Sequence, residues 1–437
     1  MKLLSVTVGG FRNVARTTIE LDGITALVSP NNFGKSNLIE AIQFAMDFIN
    51  ASPRARLSMM GTDTLVPLVP ALENDNFTFE MTFSDPELGE QYRYARYGFE
   101  FSWVRDDGSG RRIVDEKIEI GPKLGRRLTT YLKRGDGKFR SRYSTRSFRR
   151  IALDDNQLAI DVLTAMEDID INPVVRDVKF AGFVLLASLD ARNQYLQSPL
   201  EIKPPSGSVV SFDNNDLPRS LYELKRRYPD KFDDFEANVF TLFPEFTTMS
   251  VQSYEIKPED RDFYTKTFSP KEGEGAQVPF RIKDELYRLM IKSEYLNQPV
   301  SVSRMSLGTQ RLIWLVASSV IASVEGIQCL GIEEVETSIH PRMLKSLLEI
   351  LNDSLDEASI ILTSHSPYLI QYLKPERIYL GVPSSDGVAT FRRISQSSVE
   401  AVREAARDRG MGFGEYLFEL MSSDMDEAGV LLRWLED

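Results

Sequence analysis

The sequence of 437 residues contains a single cysteine, Cys329, so it cannot form a disulfide bond within the chain. This excludes a small disulfide-stabilised secreted scaffold and favours a reducing, cytoplasmic location. No apolar run reaches the ~18 residues of a membrane-spanning helix, and the charged, alternating N-terminal segment does not resemble a signal peptide. Sustained a/d heptads and fixed-period repeats are also missing, which argues against a long coiled coil or a solenoid. We therefore expect a soluble globular protein that acts without a membrane.

The composition is that of a chain with a substantial hydrophobic core. Hydrophobic residues make up 42% and aromatic residues 10% of the sequence, which excludes an intrinsically disordered chain. The length predicts about two to three domains at ~150 residues each. The net charge of -12 argues against nucleic-acid binding over the whole surface, so any such binding requires a local basic patch.

The first 50 residues predict strands, a loop and a helix in that order. Leu4, Val6 and Val8 alternate with polar or small residues, residues 17–21 alternate again, and residues 24–28 form an apolar run. Residues 29–36 follow with the sequence SPNNFGKS, which we call the phosphate loop, and residues 38–49 carry apolar side chains at helical spacing. This matches the pattern G-x-x-x-x-G-K-[ST] except at the first position, where Ser29 replaces glycine.

The phosphate loop has a clear chemical interpretation. Its backbone N–H groups and the start of the helix would cradle phosphates, Lys35 would reach the β- and γ-phosphates, and the Ser36 hydroxyl would bind Mg²⁺. The alternative is an ordinary structural turn. The residues predicted to bind nucleotide here are Asn31, Asn32, Phe33, Gly34, Lys35, Ser36 and Asn37.

Four further segments share the chain with this loop. They read GFRNV (10–14), SLGTQRLIWL (306–315), LGIEEVETSIHP (330–341) and LTSHSP (362–367). In this order the five segments resemble the ABC-type ATPase heads of the SMC, RecF and OLD clan. The resemblance implies an α/β fold, a two-lobe P-loop head that binds ATP and Mg²⁺ and pairs with a second copy.

The resemblance also implies roles for single residues. Glu334 would polarise the attacking water and His365 would contact the γ-phosphate, with Lys35 as the third catalytic residue. Glu333, where the family has aspartate, would hold Mg²⁺ together with Ser36. Ser306 and Gly308 would form the signature that serves the nucleotide of the second copy. Arg12 and Asn13 would lie near the nucleotide base, although solvated turn residues are an equal alternative.

Several other polar residues stay open at the level of sequence. His340 would either shape the loop that follows Glu333 and Glu334 or simply pack. Gln194 and Gln197 are both candidates for the glutamine that the family places between its lobes. Cys329 lies in an apolar run and is expected to be a packing residue.

Residues 123–150 form a dense basic stretch with eleven basic side chains and one acidic side chain, Asp136, within an acidic chain. Four aromatic residues interleave with them. One interpretation is a site for nucleic acid or a DNA-mimicking protein, and the other is a solvated hairpin with acidic neighbours. The polyanion prediction rests on Arg140, Arg142, Arg146, Arg149 and Arg150.

The expected organisation has three parts. Residues 1–197 form a first lobe with a strand-rich insertion at about 77–150. Residues 198–385 form a second lobe with a helical insertion, and 386–437 form a helical tail. The tail's apolar residues would cover the core or dock a partner.

The expected function is an ATP-binding, ATP-hydrolysing sensor subunit that assembles through ATP-sandwiched heads and controls a separate nuclease or toxin. Free-standing ATPases of bacterial anti-phage systems, such as the PARIS and Septu types, resemble this layout. Two alternatives remain open: a repair or recombination ATPase acting on DNA itself, and a nucleotide-gated scaffold that does not hydrolyse ATP.

Overall fold

The fold is described from a computed structural model. It describes residues 1–90, 92–105, 107–124, 128–135, 138–142, 148–164, 172–187, 191–195, 198–202, 216–260, 280–382, 384, 386–422 and 431–436. The chain forms two compact units: unit 1 comprises Met1–Leu186, Gly326–Val335 and Leu355–Asp437, and unit 2 comprises Ala187–Glu325 and Glu336–Ser354.

A mixed, mainly parallel sheet carries the phosphate loop in unit 1. Its strands stand in the order β10-β16-β17-β3-β18-β19, and only β18 and β19 pair antiparallel. The strands are β3 (Ile24–Val28), β10 (Phe183–Leu186), β16 (Cys329–Ile332), β17 (Ser359–Ser364), β18 (Ile378–Gly381) and β19 (Phe391–Arg393). β3, β16 and β17 are buried at every position, as expected for parallel strands covered on both faces.

An antiparallel sheet of eight strands completes unit 1, in the order β2-β1-β4-β5-β6-β7-β8-β9. Its strands are β1 (Lys2–Gly9), β2 (Thr17–Glu20), β4 (Phe77–Ser84), β5 (Tyr94–Ser102), β6 (Arg112–Gly121), β7 (Thr129–Gly135), β8 (Lys138–Arg142) and β9 (Phe148–Ala152). The strand-rich stretch at 77–150 therefore extends the sheet that β1 begins.

The helices of unit 1 are α1 (Lys35–Asn50), α2 (Pro53–Met59), α3 (Ala159–Thr164), α4 (Asn172–Phe180), α9 (Pro367–Ile370), α10 (Val399–Asp408) and α11 (Phe413–Ser422). Aromatic side chains join α1 to the antiparallel sheet: Phe48 stacks on Phe101 at 4.8 Å and Phe44 meets Phe77 edge-on at 5.1 Å. The Trp103 indole donates to the Gly10 carbonyl at 2.7 Å. This core fixes the helix that follows the phosphate loop.

The described part of unit 2 contains helices and two small antiparallel sheets. The helices are α5 (Leu217–Arg227), α6 (Pro229–Leu242), α7 (Leu307–Glu325) and α8 (Pro341–Asp353). The strands are β11 (Leu200–Ile202) with β13 (Phe280–Ile282), and β12 (Phe246–Glu255) with β14 (Glu285–Ser293) and β15 (Val300–Ser301).

The two units interleave along the chain, whereas the expected lobes were continuous segments. Residues 326–335 and 355–385, assigned by sequence to the second lobe, belong to unit 1. The reason is topological: β16, β17 and β18 return to the sheet of β3, because parallel neighbours need long crossover connections. The tail, 386–437, is also part of unit 1.

One helix in the described part of the chain, α7, is long and apolar enough to cross a membrane. Its most apolar window is 67% buried inside the protein. A core helix of a globular protein passes the same test, and burial on this scale is typical of one.

A buried carboxyl group on β6, that of Glu116, joins the antiparallel sheet to α3. It accepts hydrogen bonds from the backbone N–H groups of Ala159 (2.5 Å) and Ile160 (3.0 Å) and from the Tyr97 hydroxyl (3.1 Å). Burial raises the pKa of this carboxyl from 4.5 to about 7, outweighing the hydrogen bonds and the nearby Arg134, which lower it.

The raised pKa of Glu116 predicts that the free energy of unfolding falls as the pH rises. The folded protein binds the Glu116 proton more tightly than the unfolded chain, so this stabilisation is present at pH 4.5 and is lost as the pH rises through about 7. We expect the free energy of unfolding to fall more steeply between about pH 5 and 8 in the parent than in Glu116→Gln, which does not titrate. Urea denaturation at several pH values measures both slopes, and equal slopes would contradict the prediction.

Candidate functional site

The phosphate loop lies between β3 and α1, as the sequence predicts. Gly34 has a φ of 112° and Asn32 a φ of 59°, so the chain turns sharply before the helix. Among the described residues, no side chain caps the start of α1 and no acidic residue lies in its first turn. The first N–H groups of α1 thus point to a position where an anion would complete their hydrogen bonding.

The Lys35 ammonium group is buried at the centre of this loop. Its Nζ donates to the Ser29 carbonyl at 2.7 Å, the Pro30 carbonyl at 3.0 Å and the Ser29 hydroxyl at 3.2 Å. It also lies 3.3 Å from Nδ1 of His365. Only 6% of Lys35 is exposed. Its ammonium group donates hydrogen bonds to these acceptors at the position where phosphate oxygens are expected.

Ser29, the departure from the family pattern, fits the loop without strain. It is fully buried and does not have a positive φ, so the position does not require glycine. Its side chain is accommodated by Gly381 at the end of β18, where an added Cβ would lie 2.7 Å from Ser29 Cβ and 2.7 Å from Phe33 Cδ1. Its hydroxyl adds an acceptor for Lys35 that glycine would not supply.

The two adjacent carboxylates follow the end of β16. The Glu333 backbone N–H donates to the Leu186 carbonyl at 3.0 Å. The Glu334 backbone N–H donates to the Thr363 hydroxyl at 2.9 Å, and Glu334 has a φ of 44°. A positive φ at a non-glycine residue is strained and occurs often at functional sites. The side chain of Glu334 is 44% exposed, so water can reach it.

The side chain of His365 links the loop to this carboxylate. Its Nδ1 faces Lys35 at 3.3 Å, and its Nε2 lies 3.6 Å from Oε1 of Glu334. Because an ammonium group can only donate, we assign Nδ1 as the acceptor and place the proton of the neutral ring on Nε2, toward Glu334. The structure therefore brings together the three residues predicted to be catalytic, at the shared edge where parallel strands end.

Arg12 and Asn13 lie beside the phosphate loop. Arg12 Nη1 lies 2.7 Å from the Asn37 side-chain oxygen and 2.7 Å from Oε2 of Glu40. The Asn37 amide donates to Asn13 Oδ1 at 2.7 Å, and a Cβ on Gly34 would lie 3.0 Å from that oxygen. These contacts hold the first turn of α1 in place, and a role near the nucleotide base stays a prediction.

The donor groups present suit a magnesium ion that arrives with a nucleotide. In the described part of the chain, no three His, Cys, Asp or Glu residues form a group that could hold a metal. Mg²⁺ prefers a few protein oxygens together with phosphate oxygens and water. Ser36, which is exposed, and Glu333, which is half-buried, could supply such oxygens. Glu333 stands where the family has aspartate, and its longer side chain is compatible with a contact to Mg²⁺ through a water molecule.

The predicted signature lies in unit 2, at the start of α7. The Ser306 hydroxyl accepts from the Thr309 N–H at 3.2 Å and caps the helix. Gly308 packs tightly on the loop before α8, because an added Cβ would lie 2.3 Å from the Ser338 carbonyl oxygen. Ser306 is exposed, and the neighbouring Leu307 is 48% exposed. A second molecule can therefore reach this helix end.

The structure describes three of the other candidate residues, His340, Gln194 and Cys329. His340 caps α8, with Nδ1 accepting from the Arg342 N–H at 3.2 Å, and it is exposed, so both interpretations of this residue stay predictions. Gln194 is buried in unit 2, and its Oε1 has no hydrogen-bond partner among the described residues. Cys329 is buried, and burial raises the pKa of its thiol, as expected of a packing residue. Gln197 lies outside the described residues.

The basic stretch follows β7, β8 and β9. Arg140 and Arg142 lie on β8, and Arg149 and Arg150 on β9, where the structure describes only the backbone; Arg146 lies outside the described residues. Arg134 is 1% exposed, and its guanidinium binds the carbonyls of Gln157 and Asp154. At least this basic residue therefore belongs to the interior, and polyanion contact by the others stays a prediction.

Some residues of the site had no sequence signal. Thr363, whose hydroxyl accepts from the Glu334 N–H, lies in the ordinary strand β17, two positions before His365. Ala389 exchanges backbone hydrogen bonds with Asn13 and Ala15 at 2.7 and 3.1 Å, and its Cβ lies against Gly34. These contacts join segments far apart in sequence, and no local pattern marks them.

Comparison with known proteins identifies the family of this chain. A family model described as "AAA domain, putative AbiEii toxin, Type IV TA system" matches residues 24–371, well over half of the chain. The chain belongs to this AAA family. The matched range begins at β3 and includes the phosphate loop, the signature, both carboxylates and the histidine. No curated protein matches the sequence.

A solved structure of an SMC head shares the fold of this AAA protein. A Smc head bound to the C-winged helix domain of ScpA aligns with a TM-score of 0.50 and 15% identity, covering 91% of this chain and 99% of that one. Heads from Pyrococcus furiosus, with an extended coiled coil and the C-terminal domain of ScpA, and from Thermotoga maritima align at 0.47 and 0.43. Their identities are 16% and 11%, over 93% and 90% of this chain and 99% and 100% of theirs. The predicted fold, an SMC/ABC-type ATPase head, is confirmed.

Proposed function

We propose that this AAA protein binds and hydrolyses ATP as a regulatory subunit of an anti-phage defence system. The observation that carries the ATPase proposal is the chain of contacts from Lys35 through His365 to Glu334 at the phosphate loop. A cation at the phosphates, a histidine beside them and an exposed carboxylate are the groups that phosphoryl transfer to water requires.

Each group would have a distinct task. Lys35 would exchange its present acceptors for the β- and γ-phosphate oxygens, and the N–H groups of α1 would bind the remaining phosphate charge. Glu334 would orient and polarise the water that attacks the γ-phosphate, while the Nε2 proton of His365 would hold the position of that carboxylate. Mg²⁺, held by Ser36 and Glu333, would neutralise charge on the β- and γ-phosphates.

The proposed active form has two or more copies of the chain. Ser306 and Leu307 are exposed at the start of α7, where backbone N–H groups can receive a phosphate from another molecule. Each nucleotide would then lie between the phosphate loop of one copy and the signature of the next. ATP would stabilise the interface, and hydrolysis would release it.

The defence role is supported by the toxin–antitoxin description of the matching family and by the anti-phage ATPases that this layout resembles. In this proposal the ATPase senses a phage product and controls a separate nuclease or toxin. The basic stretch would contact a nucleic acid or a DNA-mimicking protein. A direct DNA-repair role is the second candidate, favoured by the basic residues and their interleaved aromatics.

Turnover assays separate these candidates. We expect the purified protein to release phosphate from ATP at a rate that double-stranded DNA leaves unchanged. DNA-stimulated turnover would favour repair, and tight ATP binding without phosphate release over hours would favour the scaffold.

The triple variant Arg140→Glu, Arg142→Glu and Arg146→Glu tests the basic stretch: it should lose polyanion binding and keep ATP binding. Unchanged polyanion binding in the triple variant would refute the role of the stretch.

A further inference from the structure

The helix α9, which follows His365, is short and held by several local contacts. The Ser366 N–H donates to the Ser364 hydroxyl at 2.9 Å, and the Ser366 hydroxyl accepts from the Tyr368 N–H at 3.3 Å. Pro367 occupies the first turn of α9, which favours a helix start. Leu369 and Ile370 are fully buried. With only two residues between β17 and α9, any displacement of α9 is passed to His365.

The tail helix α11 rests directly on α9 through a glycine. A Cβ added at Gly414 would lie 2.2 Å from the Pro367 carbonyl oxygen and 3.2 Å from Ile370 Cβ. The first distance is shorter than any real contact of this kind, so only glycine allows the two helices to approach this closely. Gly414 does not have a positive φ, so the close approach, and not the backbone conformation, explains the glycine.

The tail is held in place on both sides of this contact. On α11, Tyr416, Leu417 and Leu420 are at most 4% exposed, which supports the expectation that the tail covers the core. Beyond α11, the Ser395 N–H donates to the Trp434 carbonyl at 2.7 Å. Arg393 on β19 forms an ion pair with Glu436 at 2.9 Å. The part of the tail after β19 therefore contacts both α9 and β19, an edge strand of the sheet that carries the phosphate loop.

We propose that Gly414 is a positioning residue for His365 and that the tail senses the nucleotide through α9. The inference rests on the proposed ATPase function. A change in the His365 contacts to Lys35 or Glu334 would move α9 and hence α11. In return, a partner that binds the tail would alter the geometry of the histidine and the rate of hydrolysis, because coupling between two sites acts in both directions.

Two glycines at the start of α11 give a matched test. Gly414→Ala inserts a methyl group against the Pro367 carbonyl, whereas at Gly412 an added Cβ meets only the flexible Glu415 side chain at 3.3 Å. We expect Gly414→Ala to lower kcat for ATP about tenfold or more, because small displacements of catalytic groups are costly. The KM for ATP should stay within about twofold, since the phosphate loop is unchanged. Gly412→Ala should behave as the parent.

The same variant in a His365→Ala background separates positioning from general damage. If Gly414 acts through His365, then Gly414→Ala lowers kcat no further once the histidine is gone. If the double variant instead loses kcat by the product of the two single losses, the proposal is overturned. A Gly414→Ala protein with the same kcat as Gly412→Ala would also overturn it. If His365→Ala alone retains the parent kcat, the proposed role of the histidine fails and the inference fails with it.

A gentler variant keeps the test valid if Gly414→Ala does not fold. Ile370→Val removes one methyl group from a fully buried side chain on α9 near Gly414, and Ile19→Val makes the same change at a fully buried position on β2. We expect Ile370→Val to lower kcat about threefold, only when His365 is present, and Ile19→Val to leave kcat unchanged. Equal effects of the two variants on kcat would overturn the proposal.

Discussion

Lys35→Ala is expected to weaken ATP binding by about 10- to 100-fold, because it removes a charged group that would donate hydrogen bonds to the phosphates. The ammonium group is buried in the loop, where the Ser29 and Pro30 carbonyls and the Ser29 hydroxyl accept its hydrogen bonds, at the position where phosphate oxygens are expected to bind. No other lysine among the described residues lies in the phosphate loop. Calorimetric titration with ATP and Mg²⁺ measures the change.

The control for this variant is Lys345→Ala. Lys345 lies on α8 with a side chain that is 62% exposed and paired to Glu349 at 3.7 Å, so its loss should leave ATP binding unchanged. Thermal unfolding of both variants shows whether they remain folded. A folded Lys35→Ala protein with the parent affinity would contradict phosphate binding at this loop.

Glu334→Gln is expected to lower the turnover of ATP by about 10²- to 10⁴-fold, the usual contribution of a general base. The variant keeps the size of the side chain and removes the charge that polarises water. The Glu334 N–H bond to Thr363 involves only backbone at this residue, so the strained conformation is retained. ATP affinity should change little, and bound ATP should hold the copies together for longer.

Glu357→Gln provides the comparison for this change. Glu357 is exposed and precedes β17 at the end of the strand opposite to His365, so turnover should equal that of the parent. Single-turnover phosphate release measures the chemical step for both variants. A Glu334→Gln protein that releases phosphate as fast as Glu357→Gln would remove Glu334 from the mechanism.

Residues with a local signature could be predicted from the sequence. The phosphate loop lies between a five-residue buried strand and a helix. The strand is a short apolar run in the sequence, and the helix carries apolar residues at helical spacing. Glu334 and His365 could be placed near Lys35 because each follows a short apolar run, and parallel strands end at one edge. Ser306 was predictable as a helix cap from its own neighbours.

Other features depend on contacts between distant segments. Gly381 accommodates Ser29 across the sheet, and Gly414 lies on Pro367 across two helices; neither pair has a pattern that sequence spacing reveals. The interleaving of the two units was missed for the same reason, since strand order in a parallel sheet does not follow chain order. His340 had two open interpretations because a helix cap and a functional histidine occupy the same kind of position.

The central claim is that one copy holds ATP in its phosphate loop while another copy closes the site with Ser306. Mixing Lys35→Ala and Ser306→Arg proteins tests it, with Ser303→Arg, at an exposed serine three residues away, as the control. Each variant alone should be inactive, and an equal mixture should recover about a quarter of the parent turnover, because half of randomly formed dimers contain one intact site of two. A mixture as inactive as its separate components would contradict the claim.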